Sequence, residues 1–295
     1  MSTKTITTKE RIERGGILPP KNDVVFSALF TRGKESITKA LLEDILKIKI
    51  HSLDLDKSKE LLNDNQKDKN GRLDLRAIIN ENIECDIEMQ LTTHDKVLER
   101  FVYYWAKIYA SNLKIGDRYD KLRKTICIII VDDEIKEFKD ILKAQTKWQI
   151  REEEYLDKVL TPYFELDIIE MPKATEQYKL NRKDEVLQWV MFLENPEDME
   201  VTRIMEENKD IKEAKKELDE ISKNKYLRRM ALKAELEKMD IKQSIEDATN
   251  RGKLEGKMEG KLEDAKKMLE KGIDVNTIME ITGLKEDEIL KMQKS

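Results

Sequence analysis

Residues 126–131, ICIIIV, are apolar without a break, and this run narrows the folds open to the chain. A strand with one wet face alternates apolar and polar side chains; an unbroken apolar run belongs to a strand buried on both faces. Such a strand needs a sheet with a covering layer on each side. The neighbouring patterns supply those layers. Residues 22–46 read as helix, with Phe26, Leu29 and Phe30, then Ile37, Leu41 and Ile45, at helical spacing. Residues 50–57 read as a short strand, and 58–70 as a polar connection ending in the turn signal Asn70-Gly71. Residues 95–117 form an amphipathic helix with Gly116 as its stop; 163–171 are another strand, and 184–196 a helix ended by Pro196. With a hairpin at 71–90, the order is α-β-β-β-α-β, then β and α. That predicts an α/β fold with one mixed sheet flanked by helices.

The hairpin segment, GRLDLRAIINENIECDIEMQ, alternates strictly on both arms. Leu73, Leu75, Ala77 and Ile79 share a face with Ile83, Cys85, Ile87 and Met89; the other face collects Arg72, Asp74 and Arg76 beside Asp86, Glu88 and Gln90. With Glu81 at the centre of the turn, Asp74 lies opposite Glu88, Arg72 opposite Gln90, and Arg76 opposite Asp86. Like charges facing each other weaken a strand pair unless something neutralises them. Two arrangements do so. Arg72 and Arg76 can form ion pairs on a solvated face, as antiparallel sheets often have. A hard divalent cation can instead take the carboxylates and keep positions for water and phosphate oxygens.

Charged residues make up 40% of the 295, and the mean hydropathy of -0.67 is low for one compact core, so part of the chain should be extended helix. All three tryptophans, six phenylalanines and five prolines lie at or before Pro196, after which Tyr226 is the only aromatic residue. The expected organisation is a globular domain at 1–200, a charged helical or coiled region at 201–270 and a small helical tail at 271–295. Residues 206–270 carry 17 basic and 17 acidic side chains, with Ile211, Leu218, Leu232, Leu236 and Met239 as short apolar seams for helix pairing. Gly252, Gly256 and Gly260 interrupt this stretch. Each costs a helix about 1 kcal/mol relative to alanine, so the stretch either packs closely against a partner or, as the favoured expectation, acts as a hinge. Residues 272–293 give two short helices around Gly283, but the second begins KEDEIL. Acids there would face phosphates, so a capping or oligomerising pair is expected over a helix-turn-helix.

A net charge of -5 argues against non-specific coating of nucleic acid; action on DNA would need local basic patches. Two cysteines, Cys85 and Cys127, and two histidines exclude a disulfide framework and a Cys/His zinc site without carboxylates. Both cysteines sit in apolar runs and read as buried free thiols of a reducing compartment. No apolar leader opens the sequence, and its longest aliphatic run is too short for a bilayer, so a soluble cytoplasmic protein without membrane contact is expected. Asp23 reads as an N-cap, and of Tyr103, Tyr104, Trp105 and Tyr109 at least two should be core.

A carboxylate on one central strand and acid-x-(Lys or Gln) on the next, within α-β-β-β-α-β, resembles the PD-(D/E)XK nuclease superfamily. More narrowly, the chain resembles the Rpn-type recombination-promoting nucleases, also described as PD-(D/E)XK nuclease family transposases. NDVVFSALF (22–30) is similar to the family's opening Asp-x-x-Phe helix, with Ser27 where lysine is usual. RLDLRA (72–77) and IECDIEMQ (83–90) match the two acid-bearing strands, and FVYYWAKIYASNLKIGDRYDKL (101–122) the Tyr-rich helix and Gly-x-x-Tyr. The last 45 residues resemble the family's tail.

The resemblance implies a restriction-endonuclease-like core and a DNA endonuclease using Mg²⁺ or Mn²⁺. Asp74 and Glu88 would be metal ligands, and Gln90 would stand in the place of the superfamily's lysine as the third catalytic residue. A lysine adds positive charge that Gln90 lacks, so a neighbouring cation must compensate or the enzyme is slow: Arg72 is the first candidate, then Arg76 and Lys96. Asp86 is an outer-shell partner or an exposed charge, and Glu43 a third acid or a solvated helix residue. DNA would be the partner, with recombination, mobile elements or defence as the setting, and the C-terminal helices would make a homo-oligomer. The alternatives are a DNA-binding module that has lost cleavage, and an assembly protein on a nuclease-like scaffold.

Overall fold

The computed structural model describes residues 7–56, 75–90 and 96–293. Arg72, Asp74 and the connection 58–70 lie outside the described residues.

After a short helix α1 (Thr8–Glu13) come α2 (Asp23–Phe30) and α3 (Glu35–Leu46). The hairpin region supplies β1 (Leu53–Leu55), β2 (Leu75–Ile79) and β3 (Ile83–Gln90). Then follow α4 (Val97–Ser111), β4 (Lys124–Val131), β5 (Gln145–Trp148), β6 (Phe164–Glu170), α5 (Met171–Tyr178) and α6 (Glu185–Glu194). The remainder is helical: α7 (Met199–Glu207), α8 (Lys209–Lys223), α9 (Lys225–Glu270), α10 (Val275–Thr282) and α11 (Glu286–Gln293). The strands form one six-stranded sheet in the order β1-β2-β3-β4-β6-β5. β1, β2 and β3 are antiparallel neighbours, β3, β4 and β6 run parallel, and β5 returns antiparallel along β6.

β4 has the two buried faces its composition requires. Ile126, Ile128 and Ile130 join a core built from α2, α3, α6, α7 and α8, whereas Cys127, Ile129 and Val131 join Val97, Phe101 and Ile108 of α4. Cys85 and Cys127 are buried and free, on opposite faces; burial pushes both thiols well up, which keeps them protonated and inert.

The helix expected over 22–46 is two helices. Gly33 sits so close to the preceding turn that a Cβ there would lie 2.2 Å from the Leu29 carbonyl oxygen, so the chain turns where only glycine fits. Gly33→Ala is expected to cost about 2 kcal/mol, because neither backbone can yield without moving α2 off the core; a denaturant midpoint measures it. The N-cap of α2 is Asn22, one residue before the aspartate expected in that role: its side chain accepts from the Val24 amide at 3.2 Å and donates to the Ala231 carbonyl at 3.2 Å. α4 stops at Ser111, ahead of Gly116, which takes φ +89° in the following loop. Neither β5 nor α5 shows a periodicity long enough to be read from the sequence.

Under the sheet, fully buried Asp167 of β6 accepts from Gln145 Nε2 at 2.9 and 3.1 Å and pairs with Lys147 Nζ at 3.1 Å. Gln145 and Lys147 also reach the Ile45 carbonyl at the end of α3, at 3.0 and 3.4 Å. Burial raises the Asp167 carboxyl above its ordinary value, and the Lys147 charge offsets this only in part. An acid raised in the folded state contributes stability that is fully present below its unfolded pKa and is lost as pH rises through the folded one. Urea unfolding of wild type and Asp167→Asn should therefore diverge in favour of wild type as pH falls from 7 to 4. The amide keeps the shape and does not titrate.

The chain divides into two compact units, Met1–Glu235 and Leu236–Ser295. In the first, Val201, Ile204, Ile211, Ala214 and Leu218 of α7 and α8 are buried in the main core, so the seams at Ile211 and Leu218 are filled within the chain. In the second, the end of α9 packs with α10 and α11 around Ala265, Ile278, Leu284 and Ile289. The hinge expected at Gly252, Gly256 and Gly260 is absent: α9 is helical through all three, with no neighbouring atom within 4 Å of where a Cβ would stand. The Lys, Glu, Leu and Met residues between them are strong helix formers and carry the backbone across.

Candidate functional site

The hairpin takes the register its alternation predicts. Leu75 faces Ile87, Arg76 faces Asp86 and Ile79 faces Ile83, which centres the turn on Glu81. Asn80 and Glu81 are both left-handed (φ 49° and 66°), and the Asn80 side chain anchors the turn by accepting from the His51 amide at 2.7 Å. Odd-numbered positions of β3 therefore enter the main core, and even-numbered positions face the α4 side.

On that side stand Glu84, Asp86, Glu88 and Gln90, all nearly enclosed: Asp86 is 2% exposed, Glu88 6% and Gln90 7%. The solvated face is thus replaced by a buried row of carboxylates ending in an amide. The parallel neighbour β4 sets Cys127, Ile129 and Val131 beside Asp86, Glu88 and Gln90, so a floor of apolar residues lies along the row.

The cations divide the row. Arg76 Nε donates to Glu84 Oε1, Arg76 Nη2 to Ser111 Oγ at 2.8 Å, and Arg123 Nη1 approaches Glu84 Oε2 at 3.6 Å. Glu84 therefore belongs to a structural ion-pair cluster at the turn end of β3. At the other end Arg100 of α4 places Nη2 3.7 Å from Glu88 Oε1, and its Nε donates to the Tyr104 hydroxyl at 2.6 Å. The guanidinium also stands over the Tyr104 ring, 5.2 Å from its centroid. Burial and the Glu88 carboxylate push the Tyr104 hydroxyl up, with Arg100 opposing, so it stays a neutral phenol.

The structure brings Asp86, Glu88 and Gln90 together and sets Arg76 opposite Asp86 while engaging its side chain with Glu84. Glu43 lies in the last turn of α3, where Oε1 accepts from the Ile50 amide at 2.8 Å and meets Lys49 Nζ at 3.4 Å. Asp74 and Arg72 lie outside the described residues, and Lys96 opens α4 with φ 63°. Of the aromatic residues on α4, Tyr104 is buried, Trp105 packs on Phe164 and donates to the Thr125 carbonyl at 2.9 Å, and Tyr103 is exposed. Sequence reading missed Glu84, which the alternation alone puts on this face. It also missed Arg100, whose proximity to Glu88 is purely tertiary; the only local trace is its i,i+4 spacing from Tyr104.

Whether these residues fit a divalent cation turns on donor chemistry. Buried carboxylates two residues apart on one strand face, with an amide oxygen next in the row, are the hard oxygen donors that Mg²⁺ or Mn²⁺ takes, and they offer no soft ligand. Among the described residues no group of three or more His, Cys, Asp or Glu is arranged around one point. The pair at Asp86 and Glu88 fits such an ion as part of a set completed from elsewhere.

The mixed sheet is flanked by helices and carries the acid-x-amide motif on the second arm of its antiparallel hairpin, as the resemblance to a nuclease core implies. The family model described as PD-(D/E)XK nuclease family transposase matches residues 20–248, more than half of the chain, and the chain belongs to that family. Residues 259–294 match the C-terminal helix-turn-helix domain of the Rpn/YhgA-like nuclease family. No curated protein and no solved structure matches the chain.

The second match corrects the capping or oligomerising pair expected at the C-terminus. The acids that opposed a helix-turn-helix have a local reason: Glu286, Asp287 and Glu288 occupy the first turn of α11, and Glu288 Oε2 accepts from the Lys285 amide at 2.8 Å. Acids there complement the helix N-terminus whatever the helix binds. Helix-turn-helix domains dock on DNA, and among the described residues no helix is long and apolar enough to cross a membrane.

Proposed function

We propose that the protein is a metal-dependent DNA endonuclease that hydrolyses phosphodiester bonds by direct attack of water. The observation that carries this reading is the enclosed row Asp86, Glu88 and Gln90 in a chain of the nuclease family. Glu88 and Asp74 would hold a Mg²⁺ or Mn²⁺ ion, with Asp86 supporting from the face that carries Glu88. A bound ion of this kind lowers the pKa of a water and polarises the phosphate. Gln90 orients by hydrogen bonding, as its amide has a donor and an acceptor and no charge. The apolar residues of β4 along the row keep bulk water from the carboxylates. The helix-turn-helix unit brings DNA to the chain, and self-association through the C-terminal helices brings two sites to one duplex.

The test is incubation of the full chain with supercoiled plasmid in Mg²⁺, with and without chelator, beside Asp74→Ala. Metal-dependent nicking lost in the variant supports the reading; nicking unaffected by Asp74→Ala refutes it. The uncharged Gln90 favours one second reading, a DNA-binding protein on the same scaffold without cleavage, whose result is chelator-insensitive DNA affinity and intact plasmid.

A further inference from the structure

Hydrolysis at a phosphodiester builds negative charge on the phosphoryl oxygens, and a fixed cation beside them stabilises it. Gln90 supplies none, Arg76 is committed to Glu84 and Ser111, and Arg123 also leans on Glu84. Among the described residues, Arg100 is a cation that stands at the Glu88 end of the row. Its guanidinium is oriented from behind: Nε is held by the Tyr104 hydroxyl at 2.6 Å and the plane lies over the Tyr104 ring, with Nη2 toward Glu88 at 3.7 Å. The Arg100 side chain keeps 41% of its surface exposed while Glu88 is enclosed. A half-exposed guanidinium pinned on one edge, standing beside a buried carboxylate, is shaped to receive a phosphate oxygen.

We infer that Arg100, positioned by Tyr104, is the phosphate-binding cation of this site: it contacts the DNA phosphate next to Glu88 and supplies the positive charge that Gln90 does not. The inference rests on the nuclease reading above. At 3.7 Å the contact with Glu88 is loose, so the guanidinium can lean toward a phosphate without breaking a tight hydrogen bond. Tyr104 acts only through Arg100, by fixing its plane.

Full-length wild type, Arg100→Gln, Arg100→Lys and Glu88→Gln are compared in two assays. Binding of a mixed-sequence duplex oligonucleotide in Ca²⁺ is followed against salt, and plasmid cleavage in Mg²⁺ is timed; Mn²⁺ binding by calorimetry and thermal melting control for site and fold. Arg100→Gln should cut cleavage about 100-fold and lower the slope of log affinity against log salt by about one contact. Mn²⁺ binding should stay level or tighten, since a competing cation is gone. Arg100→Lys should retain the salt slope and recover part of the rate. Unchanged rate and slope in Arg100→Gln, with Glu88→Gln inactive, overturn the inference and leave the nuclease reading standing. Loss of Mn²⁺ binding in Arg100→Gln also overturns it, because Arg100 would then only shape Glu88. A Glu88→Gln protein that binds Mn²⁺ and cleaves like wild type instead removes Glu88 from the site, and a wild type without Mg²⁺-dependent cleavage refutes the nuclease reading itself. Should Arg100→Gln melt too low to assay, Arg100→Lys decides alone: reduced cleavage with Mn²⁺ binding intact is expected, and a wild-type rate in the folded protein overturns the inference.

Discussion

Glu88→Gln is expected to lower Mg²⁺-dependent cleavage about a thousandfold or more while leaving the metal-free protein as stable as wild type or slightly more so. The argument is electrostatic. A carboxylate enclosed to 6% exposure loses its hydration, and its pairing with the Arg100 guanidinium, at 3.7 Å and half in water, is weak. The amide has the same volume, so packing against Ile129 is kept and no cavity opens. Glu84→Gln is the matched control on the same strand face. Glu84 is gripped by Arg76 and faced by Arg123, so its loss should cost about 2 kcal/mol and leave cleavage within a few-fold. Chemical denaturation and plasmid cleavage on the two variants separate function from structure. The reverse pattern, a Glu88 variant that is unstable and active, would assign Glu88 to a structural ion pair and remove it from the site.

The contrast between these two glutamates also marks how far the sequence could be read. Alternation with a period of two fixes which side chains share a strand face, and a turn centred on Glu81 fixes the register, so the Arg76–Asp86 opposition was legible without coordinates. The unbroken aliphatic run of β4 likewise announced a sheet covered on both sides. What alternation cannot report is which cation reaches which carboxylate. Arg76 turns to Glu84 and not to the acid it faces, and the cation beside Glu88 arrives from a helix that follows in sequence. Helical periodicity was equally blind to the break between α2 and α3, because the apolar spacing continues through it in phase while Gly33 is fixed by a backbone contact. At α9 propensity misled in the other direction: three glycines weaken a helix locally, but strong helix formers surround them. The acids that open α11 are informative about capping and silent about ligand, so they do not argue against a helix-turn-helix.

Full-length protein is expected to be a dimer or larger in solution, and a chain ending at Glu235 a monomer. The cut belongs there and not at 200, because Val201, Ile204, Ile211 and Leu218 are part of the main core and a shorter chain would expose it. Beyond it, Leu236, Met239, Ile241, Ile245, Leu254 and Met258 of α9 are exposed, on a helix whose packed residues in that unit begin only near Leu262. A solvated helical stretch of this length is marginal on its own propensity, and three glycines make it more so; a second copy along the same apolar positions supplies the missing burial. Equal numbers of basic and acidic residues over 206–270, 17 of each, remove the net repulsion that would hold two such helices apart. Pairing at this place has a functional corollary under the nuclease reading: one site per chain cuts one strand, so a dimer cuts both strands of a duplex, and the monomeric truncation should nick plasmid without linearising it. Multi-angle light scattering on the two chains, followed by plasmid cleavage with each, decides the matter. A monomeric full-length protein, or a truncation that remains equally dimeric, rules the arrangement out; a monomeric truncation that still linearises plasmid keeps the dimer and removes its role in double-strand cutting.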